Sequence, residues 1–440
     1  MWDISQIREE APSDYETALC AALMGILGRE IHDLPAIVGG LNETEMAPEG
    51  GGAWTEQSFR AEMARLGDGP EKGAVAPVRD IAGPGGAQAA ANGAADRDGA
   101  EATFDARVER LMNLGIRNRW YCIAASFQVA DAPVGLTRLG EKLVLWRDGD
   151  GLVHVQEDRC PHRAAPLSRG RIIEGRLTCA YHGVQVDGGG TVVTVPAFPA
   201  CEMVGRQLVK SYPVIEHYGG IFAYFGDAAH PDPTPFTLPE ELTADGWAGF
   251  VYTETWGANH RYILDNLADP MHAPYLHNES YSLADGAKED VITVTDTAHG
   301  FEVGRRDQRN QNFDWLEFGD TGGYWIQVEV FYPPGAGPGG NLRILCFVTP
   351  IDENSSQIHF WRCRKSSGWQ RDLWRFLFKT RLEFFAWEVM QQDRRLLAEM
   401  PPLPVPENLY QHDLGVTRLR HFLRREAESQ LRALTGPGQA

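Results

Sequence analysis

Cys160-Pro-His162, sixteen intervening residues, then Cys179-Ala-Tyr-His182: this stretch decides how the chain is read. Two cysteines and two histidines can hold a tetrahedral zinc. Zinc fingers, however, keep like ligands together, CxxC before HxxxH. Here each half offers one of each kind, as CxH and CxxH. That mixed pairing suits a [2Fe-2S] cluster with two thiolates on one iron and two imidazoles on the other. Imidazole is neutral where thiolate is anionic. The exchange therefore raises the reduction potential to ~−150 to +300 mV, against ~−400 mV for all-cysteine plant-type clusters. Such a centre accepts an electron from a flavin or ferredoxin donor and passes it on.

A second set of ligands follows in Asp265-Asn266-Leu-Ala-Asp269-Pro-Met-His272-Ala-Pro-Tyr-Leu-His277. A helix is expected over 259–276. On one unbroken helix, residues five apart diverge by more than a right angle. Pro274 disfavours an unbroken helix in any case. A bend after His272 would bring both imidazoles to one metal. Two histidines and one carboxylate on one face of iron leave the remaining positions for dioxygen and substrate.

The 440 residues are more than one core usually serves, so two or three domains are expected. The net charge of −19 argues against nucleic acid and against an anionic membrane surface. No apolar run is long enough for a transmembrane helix, and the start lacks a signal-peptide pattern. Seven cysteines are too few, and odd in number, for a disulfide framework, which fits a reducing cytoplasm. Cys20, Cys122, Cys201, Cys346 and Cys363 lack ligand spacing and read as packing residues.

Residues 13–31 read as an amphipathic helix capped by Ser13, and a second helix begins at Thr55. Together they form a helical hairpin appendix over 1–68. Residues 69–104, rich in Gly, Ala, Pro and Asp, read as a flexible linker. From about 117 the texture is strand and turn, with strands over 120–125, 142–147, 153–157 and 192–195 and a turn at Asp187-Gly-Gly-Gly-Thr191. This defines a small antiparallel β domain over 105–226. A second domain over 227–440 carries strands within 291–294, 325–331 and 342–348. Helices over about 369–399 and 412–434 close it.

The first ligand set, with Arg163 and Gly183 beside it and Pro196-Ala-Phe-Pro199 beyond, resembles the Rieske proteins. The second, in the form Asn-x2-Asp-x2-His-x4-His, resembles the iron-binding segment of Rieske non-heme iron oxygenases. The resemblance covers roughly residues 115–400. It implies an α+β fold: a small antiparallel β Rieske domain, then a catalytic domain with a central antiparallel sheet flanked by helices. It implies a Rieske [2Fe-2S] cluster on Cys160, His162, Cys179 and His182, and a mononuclear Fe(II) on His272 and His277. The third ligand is expected at Asp393, after the aromatic-rich stretch that begins at Phe384, with Glu388 and Asp372 as rivals. Asn266 is expected near the iron. Asp269 is expected to accept hydrogen bonds from His272 and from a cluster histidine, His182, of a neighbouring subunit. That bridge carries electrons within a homotrimer. The resemblance further implies O2 as co-substrate and the hydroxylation or oxidative demethylation of a small organic, aromatic substrate.

No Gly-x-Gly-x-x-Gly opens a helix after a strand, so electrons must come from a separate NAD(P)H-dependent reductase, directly or through a ferredoxin. Phe313, Trp315, Phe318, Trp325, Phe331 and Phe347 are available as apolar substrate lining, and Arg305, Arg306 and Arg309 as carboxylate partners. Two rival readings stand beside the oxygenase. One is a Rieske electron carrier with a non-catalytic second domain. The other is a metal-dependent hydrolase using the histidine pair.

Overall fold

The computed structural model describes residues 6–8, 10–67, 103–227, 230–280, 289–306 and 315–435. The expected linker lies almost wholly outside the described residues, as do Arg309 and Phe313. Among the described residues no helix is long and apolar enough to cross a membrane.

The chain opens with α1 (Asp14–Leu27), α2 (Leu34–Asn42) and α3 (Glu56–Gly67). Ser13 and Glu16 form a reciprocal capping box at the start of α1. Three helices replace the expected hairpin, because the chain turns at Glu30, whose φ is +61°. Asp33 then accepts the Ala36 N–H and Pro35 fills the first turn, so α2 starts at Leu34, in a stretch where the sequence reading placed no helix. A Cβ on Gly40 would lie 3.1 Å from Ile26 Cδ1, so glycine is what lets α2 meet α1. Leu19, Leu23, Phe59 and Met63 fill this module's core, which closes on Leu373, Phe376 and Leu377 far along the chain.

Helix α4 (Phe104–Leu114) was grouped with the β domain in the sequence reading. The structure corrects this. Val108 and Met112 pack on Leu419, Leu423 and Ala427 near the C-terminus, and Arg424 pairs with Asp105 at 2.6 Å.

The β domain holds β1 (Arg119–Ala125), β2 (Val134–Arg138), β3 (Glu141–Arg147), β4 (Val153–Glu157), β5 (Arg171–Ile173) and β6 (Arg176–Thr178). It continues with β7 (Gln185–Val186), β8 (Val192–Thr194), β9 (Ser211–Tyr212), β10 (Val214–His217) and β11 (Gly220–Phe225). Three antiparallel sheets result, ordered β1-β11-β10, β2-β3-β4-β9 and β5-β6-β7-β8. In the last sheet the β6–β7 hairpin carries the second Cys/His loop, while the first lies between β4 and β5.

The larger domain holds β12 (Trp247–Trp256), α5 (His260–Leu267), α6 (Ala273–Leu276), β13 (Ile292–Asp296), β14 (Gly300–Arg305) and β15 (Trp315–Asp320). After these come β16 (Tyr324–Tyr332), β17 (Gly340–Pro350), β18 (Ser356–Lys365), α7 (Gly368–Leu377), α8 (Glu383–Leu397) and α9 (Leu414–Thr435). A π-helical turn over Phe378–Leu382 joins α7 to α8. The seven strands form one antiparallel sheet, ordered β12-β18-β17-β16-β15-β14-β13. Helices cover it in two cores that meet at Leu267, Tyr332, Ile344 and Val348.

The two β bodies are joined by an aromatic seam. Phe222 stacks on Trp361 at 6.2 Å and meets Phe347 edge-on at 5.2 Å. Thr349 Oγ1 donates to the Cys122 carbonyl and Trp361 Nε1 to that of Tyr218. Phe318, Trp325 and Phe347, candidates for substrate lining, are therefore core residues. Arg305, a candidate carboxylate partner, is fully buried and already paired with Asp290 at 3.2 Å.

Phe59 is fully buried, edge-on to Trp54 at 6.2 Å and to Trp369 of α7 at 6.0 Å. Phe59→Ala is expected to weaken the docking of α1–α3 by about 3–5 kcal/mol. Limited proteolysis should then release the first 67 residues ahead of the rest; a cleavage pattern like the parent's would contradict this packing.

Candidate iron centres

Strands β4 and β6 lead into two loops that are near copies of each other. The Ala164 N–H donates to the Cys160 carbonyl at 2.9 Å, and the Gly183 N–H to the Cys179 carbonyl at 3.0 Å. Likewise the Cys160 N–H meets the Ala165 carbonyl and the Cys179 N–H that of Val184. The fifth position of each loop is left-handed, with φ +57° at Ala164 and +71° at Gly183. Alanine tolerates this at a cost of about 1–2 kcal/mol. A Cβ on Gly183 would also lie 3.2 Å from Pro196 Cγ, so the proline segment packs down on the second loop.

Both cysteines are buried and both histidines exposed. The rings of His162 and His182 lie 4.6 Å apart at 67°. Around the sulfurs pack Val144, Trp146, Leu167, Leu177 and Val184. This burial pushes the Cys160 thiol up to about 11. A thiolate in such surroundings needs a cation in contact, which an iron cluster provides. Two inward sulfurs and two outward imidazoles fit a two-iron group with its thiolate iron inside and its imidazole iron at the surface.

The second centre arises from a broken helix, and the break comes earlier than expected. Pro270 lacks an N–H and steers Asp269 away from helical angles, so α5 ends at Leu267. The chain coils again only at α6, where Pro274 sits harmlessly in the first turn. His272 stands just before α6 and His277 just after it. This places His272 Nε2 at 3.7 Å and His277 Nε2 at 3.4 Å from Asp393 Oδ1 on α8. One ligand atom from each of the three residues falls within 4.8 Å of the others. Asp393 thus joins the pair. Glu388 is exposed, and Asp372 pairs with Arg371 at 2.7 Å.

Both imidazoles are held from behind. His272 Nδ1–H donates to the Asp269 carbonyl at 2.6 Å, and His277 Nδ1–H to Gln392 Oε1 at 2.8 Å. A ring with its proton on Nδ1 presents a bare Nε2. Burial also pulls His272 below its ordinary value, with Asp393 opposing, so the neutral ligand form is favoured. Asn266 Nδ2 donates to Asp393 Oδ1 at 3.2 Å and orients that carboxylate. The donor set fits a divalent iron with one open face.

Gln392 escaped the sequence reading. Its only signal is the tandem Gln391-Gln392 before Asp393, in which Gln391 turns the other way to Glu254 at 3.0 Å. Asp269 also differs in detail from expectation. Its main-chain carbonyl takes the His272 bond, while its carboxylate accepts the Met271 N–H at 2.7 Å and lies 3.8 Å from His272 Nδ1. Burial pushes that carboxyl up to about 6, although the side chain stays 27% exposed and can be reached from outside. Behind α5, Arg420 holds Asp265 at 2.6 Å and Arg261 holds Glu109 at 2.8 Å. These pairs clamp the helix to α9 and α4.

Three domain families match this chain. A Rieske [2Fe-2S] domain covers residues 119–213, and a vanillate O-demethylase oxygenase C-terminal domain covers 256–429. A recombinase-like helix-turn-helix domain covers 2–68. In that last region thirteen acidic residues face four basic ones, a balance that repels phosphate. The protein TIC 55 of Arabidopsis thaliana chloroplasts is 34% identical over 198 residues, 44% of this chain and 35% of that one. The chain spans between about a third and a half of the length of the first curated relatives that it matches. The crystal structure of dicamba monooxygenase bound to dicamba superposes with a TM-score of 0.56 at 22% identity, over 73% of this chain and 99% of that one. The toluene-4-sulfonate monooxygenase iron-sulfur subunit TsaM1 of Comamonas testosteroni is 30% identical over 279 residues, 57% of this chain and 78% of its own length. An alignment of that reach, spanning most of a relative, means that the chain belongs to the Rieske non-heme iron oxygenases.

Proposed function

We propose that this chain is the oxygenase component of a multi-component system. It uses O2, and electrons relayed from NAD(P)H through a separate reductase or a ferredoxin, to hydroxylate or oxidatively demethylate a small aromatic substrate. One observation carries the reading: His272, His277 and Asp393 converge, with both Nε2 atoms turned towards one Asp393 oxygen. A mere electron carrier has no use for that open-faced set. A hydrolase would leave the Cys/His loops idle.

In this reading Cys160, Cys179, His162 and His182 hold the [2Fe-2S] cluster, and the triad holds Fe(II). When bound, the ferrous ion supplies O2 activation at its open face. The protein's own part is positional. Gln392 and the Asp269 carbonyl keep the imidazole protons on Nδ1, and Asn266 keeps one Asp393 oxygen turned towards the pair. Monooxygenation takes two electrons and two protons per O2, leaving one oxygen in the substrate and one in water. A hydroxylated O-methyl or N-methyl group then collapses with loss of formaldehyde. The match to a vanillate O-demethylase oxygenase C-terminal domain favours such a demethylation.

The electron path runs between subunits of a homotrimer. Tyr181 and Phe198 stand exposed beside the cluster loops, and Tyr275 and Tyr410 beside the Asp269 segment. Two such apolar patches of different shape suit a heterologous contact that closes into a ring. There a cluster imidazole of one subunit reaches Asp269 of the next.

Asp393→Ala should leave two irons per chain instead of three and abolish NAD(P)H-driven turnover, with the reduced-cluster spin resonance retained. Three irons in that variant would remove Asp393 from the metal. Asp269→Ala should keep the fold and all the iron yet lose at least about 100-fold in turnover; near-parent rates would end its bridging role. Gln392→Ala frees the His277 Nδ1 proton and should weaken ferrous iron binding by about 10–100-fold in equilibrium dialysis, with the cluster untouched.

A further inference from the structure

The cleft between the N-terminal helices and the larger domain has the makings of a second site. It encloses about 280 Å³ and is bordered by α1, α2, the β16–β17 connection and the start of α7. His32, Arg364 and Lys365 line it and no acidic side chain does, in a chain of net charge −19. Arg364 donates to the Pro338 carbonyl at 3.1 Å, and no carboxylate pairs with it among the described residues. Burial with nothing to offset it lowers that guanidinium from its ordinary value. A half-buried cation without a counter-charge is costly, and an incoming anion would repay it.

Two further features point the same way. Ser366 Oγ, at the cleft, is buried without a hydrogen-bond partner. Helix α7 begins there, Trp369 and Gln370 line the cleft, and the N-cap Ser367 makes no side-chain bond. First-turn N–H groups are thus left for an acceptor at the positive end of the helix dipole. The remaining wall is apolar, from Leu27, Ile37 and Leu373.

We propose that this cleft binds a small organic carboxylate, its anionic end on Arg364, Ser366 and the α7 N-terminus and its apolar body between Leu27 and Trp369. None of His272, His277 or Asp393 lines it, so the site is separate from the iron centre. It is nevertheless connected. The helical run that starts in the cleft passes through the π turn into α8 and Asp393. An occupant would touch both the N-terminal module and the element that carries the third iron ligand.

Titration calorimetry of the full-length, iron-loaded protein with benzoate tests the assignment, with uncharged benzamide as control. Benzoate should bind saturably at one cleft site per chain, and benzamide at least about tenfold more weakly. Arg364→Gln and the exposed Lys365→Glu should each weaken benzoate by about tenfold or more at unchanged melting temperature, while His272→Ala retains it. Absence of saturable binding at millimolar benzoate would overturn the proposal, as would equal binding of benzamide. So would full binding by the two cleft variants, or loss confined to His272→Ala, which would put the probe at the iron. If Arg364→Gln fails to fold, Lys365→Glu carries the test alone.

Discussion

The active half of this protein depends on where two ring protons sit. His272 and His277 can meet one metal only if each keeps its proton on Nδ1, and each does so by donating to an oxygen behind it. One of those oxygens is a main-chain carbonyl made available by the break at Asp269-Pro270. The other is a side-chain amide on a helix more than a hundred residues later. The centre therefore exists only when the broken helix α5–α6 and helix α8 are packed together. The clamps that hold α5, Asp265–Arg420 and Arg261–Glu109, serve the metal site at second hand.

The cluster loops follow the opposite logic. Their shape is set locally, by paired main-chain bonds and a left-handed fifth residue, and they need little from the rest of the chain. Their division into buried sulfur and exposed imidazole gives one apolar side and one open side. The open side lies at the surface next to Tyr181 and Phe198.

The N-terminal helices add a third body whose fold does not dictate its role. Their match to a helix-turn-helix family comes with strongly acidic charge and with α3 packed on α7. A π turn joins α7, on which this module packs, to α8, which carries Asp393. Such turns insert a residue into a helix and often mark functional sites. The module thus rests on the same helical run that delivers Gln392 and Asp393.

Much of this was legible in one dimension. Cys160, His162, Cys179 and His182 announce themselves because a cluster loop is short and its ligands are close in sequence. His272 and His277 were named from a local motif and strands such as 153–157 stood at the observed bounds because alternation is a local signal, whereas distant Asp393 was named only through the family resemblance. The second N-terminal helix was missed because Pro35 and the Gly39-Gly40 pair read as breakers until their neighbours are known. Residues from 105 were grouped with the wrong domain because a helix's apolar stripe does not say what it faces. Gln392 had no signal at all, since a glutamine acts on a histidine only through a hydrogen bond across the fold. Spacing and residue type point to the cluster, and the resemblance to Rieske oxygenases adds a mononuclear iron. Packing decides which oxygen holds each imidazole, what covers each helix, and that a cationic cleft opens at the module seam, because those outcomes are contacts between segments far apart in the chain.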